Sequence, residues 1–213
     1  MIGIIRKVMP MVGEGKSLYL TFDDGPDPHS TLAVLDALAE KNAKATFFVV
    51  ANTAKAHPEI FKKILSGGHA IGNHSLDHTY RRLFRGKSSL KTWVEDSEKI
   101  LADLSGQATV GFRPPNGILT PELKWALREL QMPIVYWNIR FYDAIFSWTE
   151  KRAISSIKKT ESGSIVLLHD RQSPAKLPKF LKTFSTYQLE IERAGFQCRA
   201  LNLNLRESTQ HNS

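Results

Sequence analysis

Apolar and polar positions alternate in two rhythms along the 213-residue chain. Short runs rich in apolar or β-branched residues, at 17–22, 45–50, 70–73, 110–113, 134–138, 164–169 and 196–201, predict strands. The segments between them, 29–41, 58–66, 88–104, 121–130, 149–160 and 176–194, carry helical periodicity, with Leu32, Leu35 and Leu38 marking the buried stripe of the first. Boundary signals agree with these spans. Thr120 precedes Pro121 and Glu122 as an N-cap, Ser88 opens the helix that carries Trp93 and Ile100, and Gly67-Gly68 and Gly195 are stops.

Strands that alternate with helices predict an α/β fold of parallel strands joined by right-handed crossovers, most simply a closed or nearly closed β/α barrel. In a barrel of that kind, chemistry gathers at the C-terminal ends of the strands. Asp23 and Asp24 follow the first strand, His74 the third, Arg113 the fourth and His169 closes the sixth, so residues far apart in sequence are expected on one rim. No linker, low-complexity stretch or repeat of 20 to 50 residues interrupts the chain. The organisation expected is a single domain over 17–206, preceded by an N-terminal extension (1–16) and followed by a polar tail (207–213).

Charge narrows the partners. A formal net charge of +8 favours an anionic partner, yet the basic residues are dispersed apart from Arg81, Arg82, Arg85, Lys87 and Lys91. An ordinary solvated surface with a lysine excess accounts for this pattern, an anionic glycan or cell-wall surface is the sharper alternative, and no aromatic-interleaved basic stripe points to nucleic acid. The one cysteine, Cys198, excludes an internal disulfide. Residues 1–12 are apolar but broken by Arg6, Lys7 and Pro10, too short a run for stable membrane insertion. The compartment follows from processing: periplasmic or secreted if an export signal has been removed, cytoplasmic otherwise.

His74 and His78, four residues apart, would share one face of a helical turn. With one carboxylate from elsewhere they make three ligands and leave a coordination position open, the pattern of a catalytic metal site. Asp23 and Asp24 can divide the labour, because neighbouring side chains on an extended segment diverge: one binds the ion and the other acts as a base. Such a set of two nitrogens and one oxygen suits zinc, with cobalt, nickel and manganese as alternatives. His29, His57, His69, His211 and Asp77 have no convergent partners and are expected to be structural or surface residues.

Taken in order, Thr21-Phe22-Asp23-Asp24-Gly25, His74-Ser75-Leu76-Asp77-His78, Arg113-Pro114-Pro115-Asn116-Gly117 and Ile165-Val166-Leu167-Leu168-His169-Asp170 resemble four of the five motifs of a known family. It is that of the polysaccharide deacetylases of the NodB-homology type, carbohydrate esterase family 4, and the resemblance runs from Ser17 to Leu203. It implies a deformed (β/α)7 barrel and a metal-dependent hydrolase that removes N-acetyl groups from N-acetylglucosamine-containing glycan. Peptidoglycan is the first substrate expected and chitooligosaccharide the alternative. By resemblance, Asp24, His74 and His78 hold the metal, usually zinc, Asp23 is the general base, Arg113 its ion-pair partner and His169 the general acid. The backbone of Asn116 would face a developing oxyanion. Leu167, on the same side of its strand as His169, would line an acetyl-methyl pocket, and Trp137 and Tyr142 would touch sugar.

The fourth motif departs from the family pattern. Aligned on Trp137, Arg140 stands where the family has an aspartate that orients the acid, Asp143 is kept, and Ala144 replaces a tryptophan. Arg140 is therefore expected near His169, disfavouring its charged form, with Asp143 or Asp170 left to hold the imidazole. Trp148 is expected to replace the missing wall of a more open cleft. Two other readings stand beside the hydrolase: a catalytically weakened, metal-bound carbohydrate-binding protein, and an amidase for a small non-sugar substrate. Asp23 argues against the first, since a binder needs no base. A monomer is expected.

Overall fold

The computed structural model describes residues 3–9, 13, 15–146 and 148–202; the expected polar tail lies outside the described residues. Within them the strands are β1 (Ile4–Ile5), β2 (Lys16–Asp23), β3 (Ala45–Val49), β4 (Ala70–Asn73), β5 (Ile134–Val135), β6 (Ile139–Arg140), β7 (Ser164–His169) and β8 (Phe196–Cys198). The helices are α1 (Thr31–Glu40), α2 (Ala51–Ala56), α3 (Pro58–Ser66), α4 (Lys87–Ser105), α5 (Pro121–Glu129), α6 (Glu150–Ile157) and α7 (Leu177–Arg193).

Every ladder between these strands is parallel, and the main sheet runs β4-β3-β2-β7-β6, with β8 added beside the start of β2. Strands β3 and β7 read as near-continuous apolar runs because both faces of the sheet are covered. Phe47 stacks on Phe22 at 5.1 Å and packs outward toward α7, where Phe184 meets Phe22 edge-on. Its neighbour Phe48 turns the opposite way, into an inner cluster with Val110, Val135 and Ile165. Alternation along one strand thus feeds two cores.

The expected deformed barrel is borne out, and the deformation has a traceable cause. Past β4 the sheet continues through single parallel bridges, Asn73 to Phe112 and Phe112 to Ile134, and no ladder joins β5 to β6 among the described residues. The span expected as a strand at 110–113 is reduced to those bridges because Gly111 adopts φ 137° and prolines 114 and 115 follow at once. The N-terminal segment lies across the gap. β1 pairs with β5, the Tyr136 N–H donates to Ile5 O at 2.7 Å, and Val8 and Gly163 are joined by a 2.8 Å bond. Gly163 has room for no side chain, since a Cβ there would lie 1.8 Å from Val8 O. Residues 4–8, within the expected extension, therefore take part in the barrel wall.

Helix α3 begins and ends as its periodicity predicts, and Thr120 caps α5 by accepting the Leu123 N–H at 3.2 Å. Strands β4 and β7 also keep the expected bounds, and the other anticipated elements are shifted by one or a few residues. Three were not anticipated: β1, β6 and the six-residue α2 are too short to show a period. No helix among the described residues is long and apolar enough to cross a membrane.

Candidate active site

Strand ends at the C-terminal rim bring Asp23, Asp24, His74, Arg113, Leu167 and His169 together, as expected of a barrel. The local backbone differs from the expectation. His74 and His78 are not on a helical turn: they sit in the loop after β4, where Ser75 (φ 80°) and His78 (φ 55°) are left-handed. Nor do the aspartates diverge along an extended segment. Asp23 ends β2, Asp24 takes φ 80°, and both carboxylates face His74 Nε2, at 3.8 Å and 3.4 Å. Of seven non-glycine residues with positive φ among the described residues, five line or adjoin this cleft: Asp24, Ser75, His78, Asn116 and Tyr142. Such conformations are retained where surrounding contacts over-determine them, which is common at functional sites.

Asp24 Oδ1 lies 3.4 Å from His74 Nε2 and 3.3 Å from His78 Nε2. Bonds of about 2.0–2.1 Å at tetrahedral angles would separate ligand atoms by about 3.3–3.4 Å, the spacing Asp24 keeps from each imidazole, and the three ligand atoms all lie within 4.8 Å of one another. His74 is oriented as a ligand. Its Nδ1–H donates to the Arg113 carbonyl at 2.8 Å, so Nε2 is the ring nitrogen that faces the cleft, and its lone pair is available as a ligand when the imidazole is neutral. Burial works against charge on Asp24, but the hydrogen bond and charge of His74, with His169 and His78 beyond, hold its carboxyl well below the usual range. These residues are therefore suited to a divalent cation.

Arg113 is wholly buried and spans the barrel interior. Its Nη1 donates to Asp23 Oδ1 and to Thr21 Oγ1, both at 2.7 Å, its Nε and Nη2 reach the Val135 and Tyr136 carbonyls, and the guanidinium lies over Phe48 at 3.8 Å. The Asp23 carboxylate, almost fully buried, is thus fixed by one oxygen while Oδ2 faces His74. Thr21, not anticipated as a site residue, completes this clamp by donating its hydroxyl hydrogen bond to Val166 O at 2.7 Å.

On the opposite side, His169 Nδ1 donates to Asp143 Oδ1 at 3.0 Å, and the His169 N–H donates to Asp143 Oδ2 at 2.8 Å. Burial opposes the charged imidazole, but the hydrogen bond and charge of Asp143, helped by Asp23 and Asp24, hold its pKa up at about 9. Arg140 does not depress it, contrary to expectation. That side chain turns onto Tyr142, with the guanidinium 3.9 Å from the ring centre and a hydrogen bond to the phenol oxygen. Asp143 is therefore the carboxylate that orients the His169 imidazole, and Gln172, which no motif signals, braces it from Nε2 at 3.2 Å.

Asp170 has another task. Its buried carboxyl accepts the Gly25 N–H at 3.0 Å and the Thr31 hydroxyl at 2.5 Å, pinning the turn after the aspartate pair; burial, with Asp24's charge, pushes it up to about 7. Gly25 is obligatory there, because a Cβ would lie 2.0 Å from Asp170 Oδ2.

The cleft holds about 260 Å³ and is walled by Asn116, Gly117, Trp137, Arg140, Tyr142, Ala144, Ile145 and Leu167 around the charged groups. Leu167 lines it while Leu168 enters the core, as alternation requires. Trp148 does not line it. It is 2% exposed in an aromatic cluster with Phe141, Phe180 and Tyr187, and Ile145, which the motifs do not signal, stands at the wall instead. Asp77 and His69 are structural: the first accepts from Trp93 Nε1 and Arg82 Nε, the second accepts the Ala45 N–H.

Comparison with known proteins fits this geometry. The polysaccharide deacetylase family profile matches residues 12–135. A peptidoglycan-N-acetylglucosamine deacetylase of Bacillus cereus is 36% identical over 70% of this chain, which spans about half (54%) of that relative's length. A chitooligosaccharide deacetylase of Azorhizobium caulinodans is 33% identical, over 74% of this chain and 75% of its own. Among solved structures, a family 4 acetyl xylan esterase from Clostridium thermocellum, in complex with a cobalt ion, superposes with a TM-score of 0.78 at 29% identity, covering 91% of each chain.

Proposed function

This chain belongs to the polysaccharide deacetylase family, and from that premise we propose that it is a hydrolase that removes N-acetyl groups from N-acetylglucosamine units of a glycan, peptidoglycan first. One observation carries the reading: a ligand triad of Asp24, His74 and His78 flanked by a clamped carboxylate and by a charged imidazole. Zinc is the metal proposed for the triad, which the cobalt ion in the Clostridium thermocellum relative supports as a divalent site. When bound, a divalent cation there supplies Lewis acidity toward the acetyl carbonyl and lowers the pKa of water.

The protein groups supply the proton traffic. Asp23, held by Arg113, accepts a proton from the attacking water as its oxygen bonds to the acetyl carbon. Asn116 lines the cleft, where its backbone N–H would serve as a donor to the oxygen on which negative charge develops. His169, whose Nδ1 is committed to Asp143, keeps its other proton on Nε2; a pKa of about 9 means it is charged at neutral pH. It protonates the nitrogen as the C–N bond breaks, and acetate and a free amine result. Leu167 contacts the acetyl methyl, and Trp137 and Tyr142 contact the sugar. The cleft, below the roughly 300–1,000 Å³ of an enclosed small-molecule pocket, suits one unit of a polymer better than a whole small metabolite.

The test is acetate release from intact peptidoglycan and from chitin oligomers, with zinc-loaded and cobalt-loaded protein. Asp23→Asn is expected to keep its metal and lose about 10²–10⁴-fold in rate. His74→Ala is expected to lose both metal and rate. A parent protein no faster than these variants on either polymer overturns the reading. Release from chitin alone would move the substrate to chitooligosaccharide.

A further inference from the structure

The charges of the cleft balance in pairs, with one remainder. Asp23 is answered by Arg113, Asp143 by His169, and Asp24 belongs to the metal triad. Arg140 lines the same cleft and has no carboxylate partner among the described residues. It is placed there by register. Strand β6 pairs with β7 so that Arg140 stands opposite Leu167, two residues before His169, and in-register parallel neighbours project to the same side of the sheet. The guanidinium is exposed, yet it is not free to wander, because it stacks on Tyr142, itself locked in a left-handed conformation at φ 58°. One Nη2–H is committed to the Tyr142 hydroxyl and no carboxylate among the described residues meets the rest of the edge, so a planar cation held in place and desolvated on one face keeps donors for charge-assisted recognition of a carboxylate. Its ordering has already been met by the aromatic contact, so less entropy is lost when the anion binds.

We infer that Arg140 is a specificity residue that binds a carboxylate carried by the glycan beside the reacting N-acetyl group, so that the cleft selects an acidic glycan, such as one bearing muramic acid, over neutral chitin. This rests on the deacetylase reading for the identity of the ligand. The overall charge of +8 acts in the same direction at longer range. The Tyr142–Phe146 turn that carries the stacking partner is secured from outside by Lys176, whose Nζ donates to the Ala144 and Ile145 carbonyls at 3.3 and 3.2 Å.

The experiment is a binding titration of zinc-loaded protein with three tetrasaccharides: chitotetraose, an alternating N-acetylglucosamine–N-acetylmuramic acid tetramer, and that tetramer with its carboxyls converted to amides. The unaltered protein is expected to bind the acid form about tenfold more tightly than the amide form, the scale of a charge-assisted pair tempered by exposure. Arg140→Gln is expected to abolish that ratio while shifting chitotetraose affinity less than about twofold, and Arg140→Lys to retain part of it. Equal affinity of the unaltered protein for acid and amide forms, or no measurable binding of any of the three, overturns the inference. So does an Arg140→Gln protein that loses affinity for all three alike, which would make the residue a support for the loop. Acetate measured in the same samples tests the other claim separately: carboxylate selectivity without acetate would sink the hydrolase and leave Arg140 its role.

Discussion

The two walls of the cleft are built in opposite ways. On one, Asp23, His74 and Arg113 are almost wholly buried and rooted in the ends of strands or in bridges between them. On the other, Arg140, Tyr142, Ala144 and Ile145 are exposed, hang from a two-residue strand and lean on each other and on Lys176. Buried polar groups demand complete partnering, so the first wall tolerates few substitutions; in the proposed reaction it carries the steps common to any acyl hydrolysis. Exposed groups can change at small cost in stability. Such a wall can be altered to suit a different polymer without disturbing the reaction.

The contrast can be broken most severely beneath the second wall. Trp148 anchors that loop by packing against Phe141 at 4.5 Å and Tyr187 at 5.4 Å. Trp148→Ala is expected to lower unfolding free energy by about 3–5 kcal/mol in urea denaturation, as for other buried aromatic truncations, with metal binding intact in the folded protein. A variant of near-normal stability that fails to bind oligosaccharide would instead make Trp148 a sugar platform and return the loop to the pattern expected from sequence.

The first wall breaks at Gly25. Ala in its place brings a methyl onto the buried Asp170 carboxyl, and the turn after Asp24 must open to admit it. A destabilisation of about 1–3 kcal/mol is expected, in the range of overpacked cores. Affinity for zinc should fall with it, measured by competition with a chromophoric chelator, because Asp24 is displaced from the two histidines. Unchanged zinc affinity would show that the triad does not depend on this brace.

These two sites also mark where sequence suffices and where it does not. The Asp-Asp-Gly run and the paired histidines are legible because buried chemistry needs those residue types in that order, and the strands that carry them are long enough to show a pattern. Their backbone was not legible: left-handed Asp24, Ser75 and His78 arise from tertiary contacts, not from any local preference for a helical turn. The second wall was misread for a related reason. Arg140 and Trp148 have the right chemistry to face a sugar or an imidazole, but the stacking on Tyr142 and the aromatic cluster under α7 decided their directions, and neither leaves a period in the sequence. Gln172 and Thr21 act by bracing other side chains, Asp143 and Arg113, a role that composition does not announce.

Asp143 joins the walls, and its removal sharpens their difference. His169 has a folded pKa of about 9 against 6.5 for the free side chain, so the stability it contributes is fully present below about pH 6.5 and lost as pH rises through 9. In metal-free Asp143→Asn the imidazole should titrate about two pH units lower, toward its ordinary value, when followed by NMR of the ring protons. The alkaline limb of acetate release should move in the same direction in the metal-loaded variant, since a neutral imidazole has no proton for the leaving nitrogen. An unmoved His169 titration would assign its elevation to Asp23 and Asp24 on the other wall.

The smallest effect is expected at Ile145, and it isolates what the second wall does. The side chain is 67% exposed yet borders the cleft, so truncation removes apolar surface that substrate would cover while leaving the core untouched. Partial loss of a few methyl contacts corresponds to about 0.6 kcal/mol, or roughly threefold. Ile145→Ala should therefore raise KM about threefold with kcat unchanged, the signature of a contact made equally in the bound substrate and the transition state. Its thermal midpoint should stay within about 1 °C of the parent, because exposed substitutions of this kind fall within about 0.5 kcal/mol. A fall in kcat instead would mean that the exposed wall takes part in aligning the acetyl group, and the division between a wall for chemistry and a wall for recognition would no longer hold.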